Sequence, residues 1–270
     1  MRLLLSLLTA LAVGYVLLAG FVAMMQGRML YPSAGQGPAP DPAVLSALRY
    51  EVIPGVAAPR ALIAEPEGEA RATVVVFHGN GGTAMDRGYY ARALTARGVR
   101  VVLAEYPGYG GRPGTPTEAA LVTDAAETIR AIYQQHGGPL VVWGESLGAG
   151  VAAAVLPETS GMVDGVVLLT PWDSLVETAR GAFPWLPVRL LLRERYDSVA
   201  HLGEFAGPVA VLVAERDKVI PAERGLALYE ALDEPKRLWT FEGAGHNSWP
   251  SDPDEAWWDG VMRHVLMQWP

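Results

Sequence analysis

Ser146, Asp217 and His246 are the residues of this 270-residue chain whose types and spacing suit acyl-transfer chemistry. Ser146 stands in Gly144-Glu145-Ser146-Leu147-Gly148, directly after the apolar run 140–143 and before the small residues of 149–156. A Gly-x-Ser-x-Gly turn from strand to helix holds its serine in a strained, exposed position. Its glycines are needed because strand and helix pack too closely there for side chains. A serine hydroxyl is a weak nucleophile, so it needs a base, and the base needs an orienting acid. Asp217 follows the apolar run 209–213, and His246 follows the run ending at Phe241, between Gly245 and Asn247. In the order Ser, Asp, His, with each partner in the loop after a later strand, the three meet at one sheet edge. Asp173, after the run 165–169, is the competing acid, and Asp217 is preferred. His136, His201 and His264 have no such setting and read as solvated surface residues.

A carbonyl oxygen under attack takes on negative charge and needs preorganised donors. The Leu147 amide, at the start of the helix after Ser146, is one. The loop His78-Gly79-Asn80-Gly81-Gly82 supplies the second, with the Asn80 amide preferred and Gly81 next. Phosphate cradling is not expected of this loop, since the chain has no Gly-Lys-Ser/Thr and no Gly-x-Gly-x-x-Gly entering a helix. Tyr106-Pro107-Gly108-Tyr109-Gly110-Gly111 reads as a structural turn that shapes the floor of the site, with Tyr109 at the substrate. The absence of cysteine excludes disulfides, thiolate catalysis and cysteine-ligated metals, and the five histidines show no short ligand spacing. The triad chemistry needs neither a metal nor an organic cofactor.

These side chains need a rigid frame. Residues 73–77, 99–103, 140–143, 165–169 and 209–213 are nearly continuous apolar runs, the pattern of strands covered on both faces in a parallel sheet. Outer strands at 50–53, 60–64 and 237–241 bring the number to eight. Thr115-Pro116-Thr117-Glu118 reads as a capping box opening a helix to about Gln135, with Leu121, Val122, Ala125, Ile129 and Ile132 on one face. Asp252-Pro253-Asp254-Glu255 reads as the opening of a last helix, with Trp258, Val261, Val265 and Trp269 on one face. The expected fold class is α/β, a doubly wound, mostly parallel eight-stranded sheet. Half of the residues are hydrophobic, enough for one large core. A net charge of −8 and a pI near 5.2 disfavour nucleic acid as a partner.

Residues 3–25 carry no charge and are flanked by Arg2 and Arg28. At about 1.5 Å per residue this run covers roughly 35 Å, against roughly 30 Å for a hydrocarbon core. It is long for a signal peptide and lacks a clean cleavage pattern. The expectation is an uncleaved, single-pass transmembrane signal anchor at 1–28, membrane contact through residues 3–25, and a domain on the extracytoplasmic side. A linker at 29–49, rich in Pro, Gly and Ala, is expected to carry the domain at 50–270 off the membrane. Within that domain 171–207 reads as a small cap-like insertion, and its Trp172, Phe183 and Trp185 are candidate contacts to an acyl substrate.

The sequence resembles an α/β-hydrolase from residue 50 to about 268. The resemblance rests on His78-Gly79-Asn80-Gly81, Tyr106-Pro107-Gly108-Tyr109-Gly110, Gly144-Glu145-Ser146-Leu147-Gly148, Asp217 and Gly245-His246. The anchor and Phe183-Pro184-Trp185-Leu186-Pro187-Val188 are similar to the membrane-anchored branch of that superfamily, itself similar to serine aminopeptidase-like hydrolase domains. The resemblance implies the eight-stranded fold and serine-hydrolase chemistry, and no particular substrate; the expected reaction is cleavage of a carboxylic ester or thioester of a small-molecule or lipid-like acyl substrate, through a Ser-His-Asp triad and an acyl-enzyme. A serine peptidase or amidase on the same triad is the alternative, and a non-catalytic binding protein on the same fold is a further one.

Overall fold

The apolar runs become strands because each finds cover on both faces. The computed structural model describes residues 1–55, 57–266 and 269. Its helices and strands begin with α1 (Arg2–Leu30), α2 (Pro42–Ala47), β1 (Glu51–Ile53), β2 (Ala61–Ala64), β3 (Ala72–Phe77) and α3 (Gly88–Thr95). They continue with β4 (Val99–Ala104), α4 (Glu118–His136), β5 (Leu140–Glu145), α5 (Leu147–Ala154), β6 (Gly165–Leu169) and α6 (Leu175–Ala182). The last are α7 (Val188–Leu191), α8 (Ser198–Leu202), β7 (Val209–Ala214), α9 (Ala222–Ala231), β8 (Lys236–Phe241) and α10 (Trp257–Val265). Among the described residues eight strands form one sheet in the order β1-β2-β4-β3-β5-β6-β7-β8. β2 runs antiparallel to both β1 and β4, and the remaining pairs are parallel.

On β3, Val75 and Phe77 enter one core while Val74 and Val76 enter the other; Val142 and Val141 divide in the same way on β5. That period of two, with apolar cover on each side, explains why these strands do not alternate with polar residues. α4 and α5 cover the first face through Leu121, Ile129 and Val151. α3 and α10 cover the second, where Tyr90, Trp143 and Trp258 pack with ring centroids 5.4 to 5.8 Å apart. Parallel strands bring their carboxyl ends to one edge, so the loops after β3, β4, β5, β7 and β8 converge there.

Two helix starts differ from the sequence reading. α4 begins at Glu118, and its cap is Thr117, whose hydroxyl accepts from the Ala120 amide at 3.1 Å. α10 begins at Trp257 because Asp252 first closes a turn. The Asp252 carboxylate accepts from the Asp254 amide and its carbonyl accepts from the Trp258 indole, each at 3.0 Å. Trp269 lies past the end of α10, and 267, 268 and 270 fall outside the described residues.

The stretch expected to carry the domain off α1 packs against the domain instead. Tyr31 is buried with its hydroxyl 3.0 Å from that of Tyr196, and the Gly35 amide donates to the Gly108 carbonyl at 2.7 Å. Asp41 then caps α2, which buries Leu45. α1 itself is long and apolar enough to cross a membrane, and most of its leucines are exposed.

Where α5 crosses β3 the backbones pack with no room for a side chain. A Cβ on Gly148 would drive into the Phe77 carbonyl, and one on Gly144 into the Gly148 carbonyl. Backbone on both sides leaves no room to relax. Gly148→Ala is therefore expected to cost about 3 kcal/mol or more, seen as a lowered Tm of the full chain in micelles. An unchanged Tm would contradict this packing.

Candidate active site

The chain leaves β5 at Glu145 and enters α5 at Leu147, with one residue to make the turn. That residue, Ser146, has φ 55° and ψ −114°. Such a backbone costs a non-glycine residue on the order of 1–3 kcal/mol and persists only where the surroundings enforce it. Here the Ser146 amide donates to the Leu169 carbonyl and its carbonyl accepts from the Ala149 amide, each at 2.9 Å.

The Ser146 hydroxyl donates to Nε2 of His246 at 2.9 Å, and Nδ1 of His246 donates to Oδ2 of Asp217 at 2.6 Å. The other Asp217 oxygen accepts from the amides of Val219 at 2.8 Å and Ile220 at 2.9 Å. A carboxylate so held can only receive the Nδ1 proton, which leaves Nε2 as the acceptor toward the hydroxyl. Ser146 and Asp217 are buried, and His246 is half-buried. Asp173, the competing acid, pairs with Arg224 at 3.1 Å. His136, His201 and His264 are partly buried rather than solvated. Nε2 of His264 donates to the Val209 carbonyl at 3.1 Å, and burial lowers the pKa of both His136 and His264.

The loop after β3 begins against the first turn of α5, since a Cβ on Gly148 would also meet the His78 carbonyl at 2.8 Å. The loop is tied from two sides. The Tyr106 hydroxyl donates to the His78 carbonyl at 2.7 Å, and the Tyr109 hydroxyl to the Asn80 carbonyl at 3.2 Å. From the side of α1, the Leu30 carbonyl accepts from the Asn80 side chain and the Ser33 hydroxyl from the Gly82 amide, each at 3.1 Å. Among the described residues no backbone acceptor takes the Asn80 amide. The Leu147 amide opens α5, so the helix itself offers it no partner. Two amides, that of Asn80 in the loop after β3 and that of Leu147 at the start of α5, are thus without a protein acceptor among the described residues. Among the described residues no group of three or more His, Asp or Glu is placed to hold a metal ion.

Glu145, inside the serine turn, carries no local signal in the sequence, yet it anchors a network. It pairs with Arg87 at 3.1 Å and accepts from the hydroxyls of Tyr89 at 2.6 Å and Tyr90 at 3.2 Å. Burial, then the Glu145 charge, pushes the Tyr89 phenol up, which keeps it a donor. The partners lie 55 and 56 residues away from the glutamate, beyond any local pattern.

Two of the expected substrate contacts are corrected. Tyr109 is fully buried and props the Asn80 loop from beneath. Trp172 is buried with its ring against Gly150, and its indole donates to the Tyr196 carbonyl at 3.1 Å. Phe183 is half-buried on a groove beside α1, and Trp185 is exposed.

The sequence profile of a family described as serine aminopeptidase, S33, matches residues 68–193, a span that includes Ser146. Over 234 residues the chain is 34% identical to an uncharacterized protein of Mycobacterium tuberculosis, covering 84% of this chain and 82% of that one. Over 184 residues it is 29% identical to a lysophosphatidylserine lipase of Danio rerio, covering 61% of this chain and 48% of the lipase, about half its length. Esterase 2 of Thermogutta terrifontis overlays with a TM-score of 0.64 at 19% identity, covering 82% of this chain and 96% of the esterase. That last likeness is one of fold.

The Tyr109 prop has a measurable consequence. Tyr109→Phe removes one hydrogen bond to the Asn80 loop and is expected to cost about 1 kcal/mol, a fall in Tm of about 2–4 °C. No fall would mean that the hydroxyl does not hold the loop.

Proposed function

The chain belongs to the α/β-hydrolase superfamily, and on that premise we propose that it hydrolyses carboxylic esters of lipid-like acyl groups at Ser146, with α1 as its uncleaved membrane anchor and 171–207 as its cap. The observation that carries this reading is the unbroken hydrogen-bond chain from Ser146 through His246 to Asp217. Nε2 of His246 takes the hydroxyl proton as the Ser146 oxygen bonds to the ester carbon. The amides of Asn80 and Leu147 receive the oxyanion; a donor in such a place lowers the barrier by roughly 3 kcal/mol. His246 then returns the proton to the leaving alcohol as the ester C–O bond breaks. Water, deprotonated by the same nitrogen, attacks the acyl-enzyme and releases the acid together with free Ser146. Asp217 keeps the imidazole in one tautomer throughout and stabilises the cation formed in passing.

The Danio rerio relative, a lipase named for a single-chain phospholipid, supports the lipid-like substrate class. A thioester carbonyl would be attacked in the same way. The matching profile carries a peptidase description, so an amide is the second reading. The apolar groove between α1 and 175–192, lined by Phe183 and by Val219, whose amide donates to Asp217, favours the acyl ester.

A p-nitrophenyl ester series from acetate to palmitate, run on the full chain and on Ser146→Ala, tests this proposal. Turnover in the wild type that falls by about 10³-fold or more in the variant is expected. Equal turnover in both would remove Ser146 from the chemistry.

A further inference from the structure

The amino-terminal helix does more than lead into the domain. From Tyr15 onward it lies along the cap: the Tyr15 hydroxyl donates to the Trp185 carbonyl at 3.0 Å, and Ala19 is buried. Gln26 clamps the far end, its side chain donating to the Leu191 carbonyl at 3.1 Å and accepting from the Arg193 amide at 2.8 Å. The braced length from Tyr15 to Gln26 is roughly 16 Å, and the uncharged stretch between Arg2 and Tyr15 roughly 18 Å, at about 1.5 Å per residue. A hydrocarbon core is roughly 30 Å thick. The uncharged stretch between Arg2 and Tyr15 therefore cannot cross alone. If α1 spans the bilayer, the cap edge at Trp185 must enter the hydrocarbon with it. The surface there suits that place, since Trp185 and Leu190 are 46% and 84% exposed.

Between the last turns of α1 and the cap runs an apolar groove of about 320 Å³. Val22, Ala23 and Leu30 line one side; Ala179, Phe183 and Leu191 line the other. Its volume is near the lower end of ligand-sized clefts, about 300–1,000 Å³, which suits one acyl chain better than two. Two residues of its lining touch the loops of the proposed site. The Leu30 carbonyl holds the Asn80 side chain, and Val219, also on the groove, gives its amide to Asp217.

We propose that this groove holds the single acyl chain of a membrane lipid monoester, and that it fills sideways from the lipid layer in which α1 and the cap tip lie. The proposal rests on the ester-hydrolase reading of Ser146. Each methylene drawn into an apolar groove adds a similar increment to binding, so chain-length preference reads how much of the groove is open.

The full-length protein in mixed micelles of fixed composition is assayed with p-nitrophenyl butyrate and palmitate. Ala23→Phe and Ala179→Phe place bulk in the groove from opposite walls, and Met24→Phe changes the outward face of α1. The palmitate-to-butyrate ratio of kcat/KM is expected to fall at least tenfold in the first two and to stay within twofold of wild type in the third. A ratio unchanged in both groove variants, or an equal fall in Met24→Phe, overturns the proposal. A palmitic acid bearing a terminal diazirine, photo-crosslinked to the full-length Ser146→Ala chain, reads the groove without turnover. Adducts on cap residues 175–192 that disappear in the Ala23→Phe background support it, and adducts confined to residues 2–21 overturn it. Crosslinking on the cap in a protein that hydrolyses no ester would uphold the groove and count against the ester-hydrolase reading alone.

Discussion

The backbone crossing at Ser146 is the constraint on which the rest depends. Strand β5 and helix α5 are joined by a single residue, and α5 passes so close to the end of β3 that a methyl group at position 148 has no place to go. That proximity does two things at once. It forces Ser146 to a positive φ, and it sets the first amide of α5 beside the loop that follows β3. The positions of Ser146, of the Leu147 amide and of the loop after β3 thus follow from one packing contact, held by two cores that bury both faces of the central strands. Pre-set dipoles of this kind need no reorganisation when charge develops, which is where their advantage over water lies.

A second layer of contacts keeps that contact in register. Tyr106 and Tyr109 fix two carbonyls of the β3 loop from the sheet side, and Glu145 ties the serine turn to Arg87, Tyr89 and Tyr90. The opposite side of the loop is held by Leu30 and Ser33, at and just beyond the end of α1. The end of the amino-terminal helix and the residues just after it are therefore joined to the loop after β3 by direct hydrogen bonds. On the proposed reading of α1 as an anchor, these bonds couple the position of the lipid surface to that of the loop after β3.

Much of this was legible in the sequence, for physical reasons that can be named. The five inner strands stood out because burial on both faces removes polar alternation, as in the run from Val74 to Phe77. The serine turn was legible because its glycines are demanded locally, by backbone packed on backbone. Asp217 and His246 were found from the order of loops after strands, which parallel topology turns into proximity. What stayed hidden depends on partners far along the chain. Tyr31 docks on Tyr196, 165 residues away, so a Pro- and Gly-rich stretch that reads as a spacer is packed. Tyr109 and Trp172 look like substrate contacts by type, but their hydroxyl and indole are used on the carbonyls of Asn80 and Tyr196. The start of α10 was misplaced because Asp252 closes a turn of its own, which capping residues do as readily as they open helices.

The central claim is that Asp217 and His246 make Ser146 a nucleophile, and the rate of fluorophosphonate labelling measures that most directly. The full chain and its Asp217→Asn variant would be labelled side by side and the modified peptide identified by mass spectrometry. The adduct is expected on Ser146, forming slower in the variant by up to about 10⁴-fold, since the amide selects the wrong histidine tautomer. Labelling at another residue, or an equal rate in both proteins, would contradict the account.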